Sequence, residues 1–127
     1  MKTTGRSGVK NKLGERGEKY ARRWLFFHGY KIIGKNVEMR RGELDIIATR
    51  GEYIVFVEVK LRKSSDFARP AEHVDYYKQK RLRTTASLYL TGNSTTLQPR
   101  FDVIEIYAPE GIDTKKPVIN HIEGAFE

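Results

Sequence analysis

Apolar residues recur along the chain with a helical and an extended spacing, and the two spacings predict the order of its elements. From Lys12 to His28, apolar or small residues repeat along one helical face, and Gly29 follows as a stop signal. A second helical repeat extends from about Glu72 to Leu90. The extended runs are YKIIGKN, GELDIIATR, YIVFVEVK, RFDVIEIYA and, as one further candidate, PVINHIEGAF. The resulting order α-β-β-β-α-β predicts an α/β protein with one mixed sheet flanked by helices.

Charged residues interrupt two of the most apolar runs. Glu43 and Asp45 stand in the first of them, and Glu58 and Lys60 stand in the second. Both runs are apolar on both faces, which is typical of interior strands. An ionised group in such a setting is costly unless it is paired, hydrogen-bonded or bound to a metal. These four charges therefore mark a candidate site.

The turn between the two runs fixes how the charges face each other. Gly51-Glu52 fits the two-residue loop of a type II′ hairpin, in which Arg50 faces Tyr53. In that register Asp45 lies opposite Glu58 on one face of the sheet, with Cβ atoms about 5 Å apart, a spacing at which like charges destabilise a strand pair. A hard divalent cation such as Mg²⁺, which takes oxygen ligands, would remove the repulsion.

A structural ion pair explains the same charges without a metal. Lys60 shares the face of Glu58, so Lys60 or an arginine could neutralise one carboxylate while the other reaches solvent at the strand end. The register alone does not separate this alternative from a metal site.

Composition limits the domain count and the kind of partner. A chain of 127 residues fits one domain, which we place at residues 11–127 after a flexible basic arm at residues 1–10. A net charge of +8 favours nucleic acid as the partner over an anionic membrane or an acidic protein. The absence of a long apolar stretch and of cysteine predicts a soluble, cytoplasmic protein without disulfides or thiolate zinc sites. The sequence leaves the oligomeric state open, a homodimer included.

The motifs together resemble a known family. GELDIIA followed by FVEVKLR resembles the D…(D/E)-x-K core of the PD-(D/E)XK nuclease superfamily, although Leu44 stands where that name has proline. GERGEKYARRWL, GYKIIGKN, RPAEHVDYYKQKRL and RFDVIEI resemble the YraN family of bacterial proteins, also called UPF0102, over roughly residues 11 to 107. The resemblance implies a single restriction-endonuclease-like domain, related to archaeal-type Holliday junction resolvases.

The resemblance also implies a metal site and a reaction. Asp45 and Glu58 would bind Mg²⁺ or Mn²⁺ together with the backbone carbonyl of Val59. Lys60 would orient the attacking water and stabilise negative charge on the phosphate. The implied reaction is hydrolysis of DNA phosphodiesters, including those at branched recombination or repair intermediates.

The superfamily adds a glutamate from the first helix, and here Glu15 and Glu18 compete for that role. At 100° per residue, Glu18 lies at the margin of the apolar stripe and can reach the sheet, while Glu15 points nearly opposite. We therefore choose Glu18, against the alternative of an ordinary solvated helix charge.

Basic residues near the site are candidate nucleic-acid contacts. Lys78 and Arg81 fall within the apolar stripe of the second helix and would point toward the sheet, to contact phosphate or to extend back to solvent. A basic rim suited to sequence-independent phosphate binding comprises Arg40, Arg41, Arg62, Lys63, Lys80 and Arg83. The loss of any single rim residue is expected to have a mild effect.

Other polar residues receive a structural role or none. Asp102 shares a strand face with Ile104 and Ile106, and a structural hydrogen bond or salt bridge explains it better than catalysis. His28, His73 and His121 have no ligand spacing and receive no role. The functions in competition are a metal-dependent nuclease, a non-catalytic nucleic-acid-binding module on the same fold and, third, a protein that binds an acidic partner.

Overall fold

The computed structural model of the protein describes residues 12–63 and 74–127. The predicted arm at residues 1–10 lies outside this range. So does the segment SSDFARPAEH at residues 64–73, for which the sequence, with its proline, predicts a loop. The elements in the described part of the chain are α1 (Lys12–Phe27), β1 (Lys31–Met39), β2 (Gly42–Arg50), β3 (Tyr53–Arg62), α2 (Tyr76–Gly92), β4 (Gln98–Tyr107), a 3₁₀ turn (Gly111–Asp113) and β5 (Val118–Phe126).

The strands within the described residues form one five-stranded sheet in the order β1-β2-β3-β4-β5. β3 and β4 run parallel, and the other neighbours are antiparallel. The parallel pair requires a crossover, and α2 provides it between β3 and β4. The predicted α/β architecture with a mixed sheet is confirmed, and the candidate strand near the end of the sequence is β5.

The β2–β3 hairpin has the predicted register. Arg50 pairs with Tyr53, and the ladder continues to the pair of Ile46 with Val57. The loop residue Gly51 has φ 58°, which suits the first loop position of a type II′ turn and which glycine adopts without steric cost. The turn chemistry read from the sequence was therefore sufficient to align the two central strands.

The two helices pack on opposite faces of the sheet. Alternate residues of β3 separate the faces, since Val55 and Val57 belong to one core cluster and Ile54 and Phe56 to the other. The cluster under α1 includes Ala21, Leu25, Ile46, Ala48, Ile104 and Ile106. The cluster under α2 includes Leu44, Ile47, Val74, Leu82, Ala86 and Val103.

The second helix starts later than the hydrophobic repeat predicted. It begins at Tyr76, not near Glu72, because Asp75 caps it. The Oδ1 atom of Asp75 accepts a hydrogen bond from the backbone N–H of Lys78 at 2.9 Å, which satisfies one of the free donors of the first turn. Val74 continues the apolar stripe and is buried, but it lies outside the helix.

Candidate functional site

A cavity of about 350 Å³ lies between α2 and the end of the β2–β3 hairpin that is distant from its turn. Its lining combines acidic, basic and apolar residues from the two strands, the turn before β2 and the helix. They are Arg41, Gly42, Glu43, Asp45, Glu58, Lys78, Arg81, Leu82 and Thr85. The hairpin thus supplies the carboxylates, and α2 supplies two of the cations.

A glycine brings α2 close to the start of β2. Gly42 has φ 154°, and a Cβ atom added there would lie 3.0 Å from the Oγ1 atom of Thr85. Lys78, Arg81 and Thr85 fall on one face of α2, since residues three and four apart are neighbours on a helix. The close packing at Gly42 therefore places both cations over the carboxylates.

Asp45 continues the hairpin ladder with its side chain. The backbone pairs of β2 and β3 extend as far as Ile46 and Val57, one position before Asp45 and Glu58. The Oδ2 atom of Asp45 accepts a hydrogen bond from the backbone N–H of Val59 at 3.0 Å. Asp45 therefore reaches across to β3 and lines the same cavity as Glu58, which agrees with the predicted placement of both carboxylates on one face.

Glu58 is 7% exposed and has a cationic partner from α2. Its Oε2 atom lies 2.5 Å from the Nζ atom of Lys78, whose side chain is partly exposed. The sequence alternative placed Lys60 or an arginine beside one of the carboxylates. In the structure Glu58 pairs with Lys78, because the packing of α2 directs that ammonium toward the sheet.

Lys60 follows Glu58 on the same face of β3, since side chains two residues apart in a strand point to the same side. Burial lowers the pKa of the Lys60 ammonium, and the positive charge of Lys78 lowers it further. The carboxylate of Glu58 raises the pKa of Lys60 and so opposes both effects. Lys60 is thus electrostatically coupled to both members of the ion pair.

The glutamates of α1 point as helical geometry predicted. Glu18 is 5% exposed and Glu15 is exposed, so Glu18 faces the sheet and Glu15 faces solvent. However, α1 packs on the face opposite α2, and Glu18 is not among the described residues that line the cavity. The structure brings together Asp45 and Glu58 and leaves Glu18 outside their cavity.

The basic residues named from the sequence occupy different settings. Arg41 lines the cavity with Lys78 and Arg81, and the side chains of Arg40, Lys63 and Lys80 are exposed. Arg83 donates a hydrogen bond from Nη1 to the backbone carbonyl of Glu127 at 2.9 Å.

Arg62 differs from the other rim residues because it has a buried acidic partner. Its Nη2 atom lies 3.2 Å from the Oε2 atom of Glu105, a carboxylate with no exposed surface. Loss of Arg62 would leave this buried charge without that partner, so a mild effect is not expected for this residue.

A buried polar network lies on the α1 face of the sheet. The sequence predicted a structural role for Asp102 but not the network around it. Arg100 donates to both carboxylate oxygens of Asp102 at 2.8 Å, and Gly124 donates its backbone N–H at 3.0 Å. His121 Nε2 lies 2.7 Å from Asp102, and the indole N–H of Trp24 donates to His121 Nδ1 at 3.1 Å. Because Nδ1 accepts, Nε2 carries the proton that is donated to Asp102. The structural role of Asp102 is confirmed, and His121, which received no role, is part of the same network.

Two features are not found in the described part of the chain: a metal-binding cluster of at least three side chains and a membrane-spanning helix. Residues 12–63 and 74–127 contain no group of three or more His, Cys, Asp or Glu side chains arranged to hold a metal ion. Neither helix described here is long and apolar enough to span a membrane.

The fold and the cavity together define the class of the protein. It is an α/β protein with a mixed five-stranded sheet, one described helix on each face of the sheet and a charged cavity under α2. The model of the uncharacterised protein family UPF0102 matches residues 17–106, a range that includes Asp45, Glu58 and Lys60. The chain belongs to the UPF0102 family, which is also the YraN family.

Relatives of this family match the chain over most of their length. The chain is 44% identical over 119 residues to a UPF0102 protein of Caldanaerobacter subterraneus subsp. tengcongensis, covering 92% of this chain and 96% of the relative. It is 43% identical over 121 residues to a UPF0102 protein of Alkaliphilus oremlandii, covering 93% of this chain and 100% of the relative. A UPF0102 protein of Nocardia farcinica is 39% identical over 122 residues, with 95% and 94% covered. These similarities establish the family, and none of the relatives' names states an activity.

Proposed function

We propose that the protein is a metal-dependent nuclease of the PD-(D/E)XK type that hydrolyses DNA phosphodiesters in the cytoplasm, including those of branched intermediates. The observation that carries the proposal is the meeting of Asp45 and Glu58 in one open cavity that also contains Arg41, Lys78 and Arg81. Paired carboxylates beside cations suit a metal ion together with an anionic substrate. Pure phosphate binding would need only the cations.

The residues present fit a hard divalent cation. Asp45 and Glu58 direct carboxylate oxygens from neighbouring strands into one cavity, and Mg²⁺ and Mn²⁺ prefer oxygen ligands. The N–H and C=O of one strand residue point to the same side of the strand. Since the N–H of Val59 points at Asp45, the carbonyl of Val59 faces the same side and suits the third ligand position.

The side chains around the cavity have complementary roles in the proposed reaction. A bound Mg²⁺ or Mn²⁺ would supply Lewis acidity and lower the pKa of a coordinated water. Lys60 is not among the described residues that line the cavity, but it is partly buried and lies two residues after Glu58 on the same strand face. In the proposed reaction it orients the attacking water and stabilises charge on the phosphate. Arg81 and Arg41 hold the phosphate in the cavity, and the exposed residues Arg40, Lys63 and Lys80 contact the nucleic-acid backbone beyond it.

One observation favours a second candidate, a non-catalytic nucleic-acid-binding module. The ion pair between Lys78 and Glu58 neutralises the buried carboxylate without a metal. In that case the cations of the cavity would bind phosphate, and the carboxylates would serve only to hold α2 against the sheet.

Cleavage assays separate the two candidates. The purified protein is incubated with Mg²⁺ or Mn²⁺ and a panel of linear, flapped and four-way DNA, with Asp45→Ala as the control. Metal-dependent products that disappear in the variant support the nuclease. Binding of the same panel without cleavage under every metal condition would leave the binding module as the function.

Substitution of Lys78 tests whether its ammonium and a metal ion compete for Glu58. We expect Lys78→Met to lower stability in EDTA by about 1 to 3 kcal/mol, because the pair is intermediate between exposed and fully buried ion pairs. We also expect Mg²⁺ to raise the melting temperature of the variant more than that of the wild type, because Glu58 then lacks the ammonium of Lys78. Differential scanning fluorimetry with and without Mg²⁺ measures both effects.

The matched control is Lys80→Met, which removes an exposed lysine from the same helix. It should change neither the melting temperature in EDTA nor the response to Mg²⁺. Equal Mg²⁺ shifts in wild type and Lys78→Met would contradict the competition.

The glutamate proposed from the first helix has its own test. Glu18 lies outside the cavity of Asp45 and Glu58, so its role in the reaction would be indirect, through the strand residues between them. For such a supporting role we expect Glu18→Gln to lower the cleavage rate by about 10- to 100-fold. Glu15→Gln should leave the rate unchanged, because Glu15 faces solvent. Initial rates are compared at equal folded fractions, checked by circular dichroism. Equal rates for the two variants would exclude a supporting role for Glu18 in the reaction.

A further inference from the structure

A second surface feature lies on the sheet face opposite the candidate site. A groove of about 580 Å³ runs between α1 and β1, and we call it the aromatic groove. Its apolar lining consists of Phe26, Phe27 and Ile32. Phe26 is 67% exposed and Phe27 is 74% exposed, and their rings meet edge to face with centroids 5.4 Å apart. Contiguous exposed apolar surface that is rimmed by polar residues marks an interaction site.

Four cations surround the aromatic rings. Lys19, Arg22 and Arg23 follow one another along α1, and Lys35 faces them from β1. The lining drawn from the described residues contains no acidic side chain. Two copies of the chain docked through this groove would bring like charges together, which costs free energy at an interface. The charge of the groove therefore calls for an anionic occupant.

The occupant must also present flat apolar groups between its anions. An unpaired nucleic-acid strand does so, because its phosphates and its base faces are both accessible, and positively charged grooves with aromatic rings bind such strands. Duplex DNA keeps its base faces stacked inside the helix and offers the groove only phosphates. An amphipathic helical peptide would need apolar anchors spread over two turns, whereas the groove has two adjacent rings and one aliphatic residue.

We propose that the aromatic groove binds an unpaired segment of nucleic acid, with bases against Phe26 and Phe27 and phosphates on the surrounding cations. The inference rests on the part of the proposed function that names DNA as partner, and it specifies the substrate as DNA with a single-stranded portion. β1 connects the two surfaces, since Lys35 lies in the groove and Arg41, just after β1, lines the candidate site. A nucleic-acid strand that leaves the cavity and follows β1, the edge strand of the sheet, is directed toward the groove.

Binding in EDTA tests the groove without requiring cleavage. A fluorescent single-stranded oligonucleotide of mixed sequence and the blunt duplex of the same sequence are titrated with the protein, and anisotropy gives the dissociation constants. Phe26→Ala combined with Phe27→Ala should weaken single-strand binding by about 10- to 100-fold, because bases lose their stacking surface. Duplex affinity and melting temperature should stay unchanged, because both rings are exposed.

One further variant is a control, and a second variant tests the contribution of the cations in the groove. Ile33→Ala removes an exposed apolar side chain from β1 that does not line the groove, and it should leave single-strand affinity unchanged. Arg22→Gln combined with Arg23→Gln should reduce the slope of log affinity against log salt by roughly 0.7 per charge removed. Photo-crosslinking of a bromodeoxyuridine-containing strand, followed by mass spectrometry, should yield adducts at Phe26 or Phe27.

The outcomes distinguish this inference from the nuclease proposal. Unchanged single-strand affinity in the double phenylalanine variant overturns the inference, even if the protein cleaves DNA. Loss of single-strand binding in that variant sustains the inference, even if no metal condition gives cleavage. Phenylalanine-dependent binding of anionic phospholipid vesicles or of an acidic amphipathic peptide, with single-strand affinity unaffected, assigns the groove to a different partner and also overturns it.

Discussion

Asp45→Asn is expected to abolish metal-dependent cleavage and the stabilisation by Mg²⁺ while leaving the metal-free fold intact. The amide oxygen of asparagine can still accept the hydrogen bond from the Val59 N–H, so the end of the hairpin keeps its contact. The negative charge that a metal ion would require is lost. We expect a fall in cleavage rate of more than about 100-fold, because even outer-shell partners of metal ligands cost 10- to 100-fold.

Thermal melts give a readout for Asp45 that does not depend on activity. Wild type and Asp45→Asn are melted in EDTA and in Mg²⁺, and only the wild type should gain stability from the metal by mass action. Glu38→Gln, which removes an exposed acid from the neighbouring strand β1, is the control and should respond to Mg²⁺ as the wild type does. A strongly destabilised Asp45→Asn beside a wild type that ignores Mg²⁺ would contradict the metal site and favour a structural ion pair.

Asp102→Ala is expected to produce the largest loss of stability among these variants, about 3 to 5 kcal/mol. The substitution leaves the guanidinium of Arg100 and the donors of His121 and Gly124 without their shared acceptor. Urea unfolding followed by circular dichroism measures the change in the free energy of unfolding. Asp113→Ala, at an exposed acid of the 3₁₀ turn, is the control and should change stability little. A loss below about 1 kcal/mol for Asp102→Ala would show that the network contributes little.

The same carboxylate gives a pH dependence with a defined sign. Burial by itself would raise the pKa of Asp102, but hydrogen bonds from His121, Arg100 and Gly124 outweigh it and hold the pKa below its usual value of 3.8. A depressed pKa in the folded protein contributes stability above the unfolded value, and this contribution is lost as the pH falls through the folded value. Wild type should therefore lose more stability than Asp102→Asn on acidification below about pH 4.

Local sequence determined the secondary structure and the central hairpin. The apolar stripe ending before Gly29 specified α1, and the Gly51-Glu52 turn specified the register that places Asp45 near Glu58. These features depend on neighbours in the chain, because a helix repeats every few residues and a two-residue loop aligns the strands it joins. The start of α2 could have been read from Asp75, a strong capping residue next to the hydrophobic repeat.

The exposed pair Phe26 and Phe27 was also readable from the sequence. Both fall outside the helical stripe that contains Ala21 and Leu25, so helical geometry directs them away from the core. The cation facing them from β1, Lys35, could not be assigned to the groove, because the position of β1 beside α1 depends on how the helix packs on the sheet.

Only the tertiary structure decided the partners of the buried charges. Lys78 lies 20 residues after Glu58 in the sequence, and whether its ammonium reaches Glu58, Asp45 or solvent depends on the close packing of α2 at Gly42. Trp24, His121 and Asp102 come from α1, β5 and β4, and they meet only because β4 and β5 are neighbours in the sheet and α1 packs against their common face. The sequence by itself determined which residues are charged and which face of an element they occupy. Which charge neutralises which was decided by packing, because an ion pair forms between any two opposite charges that the fold brings within a few ångströms.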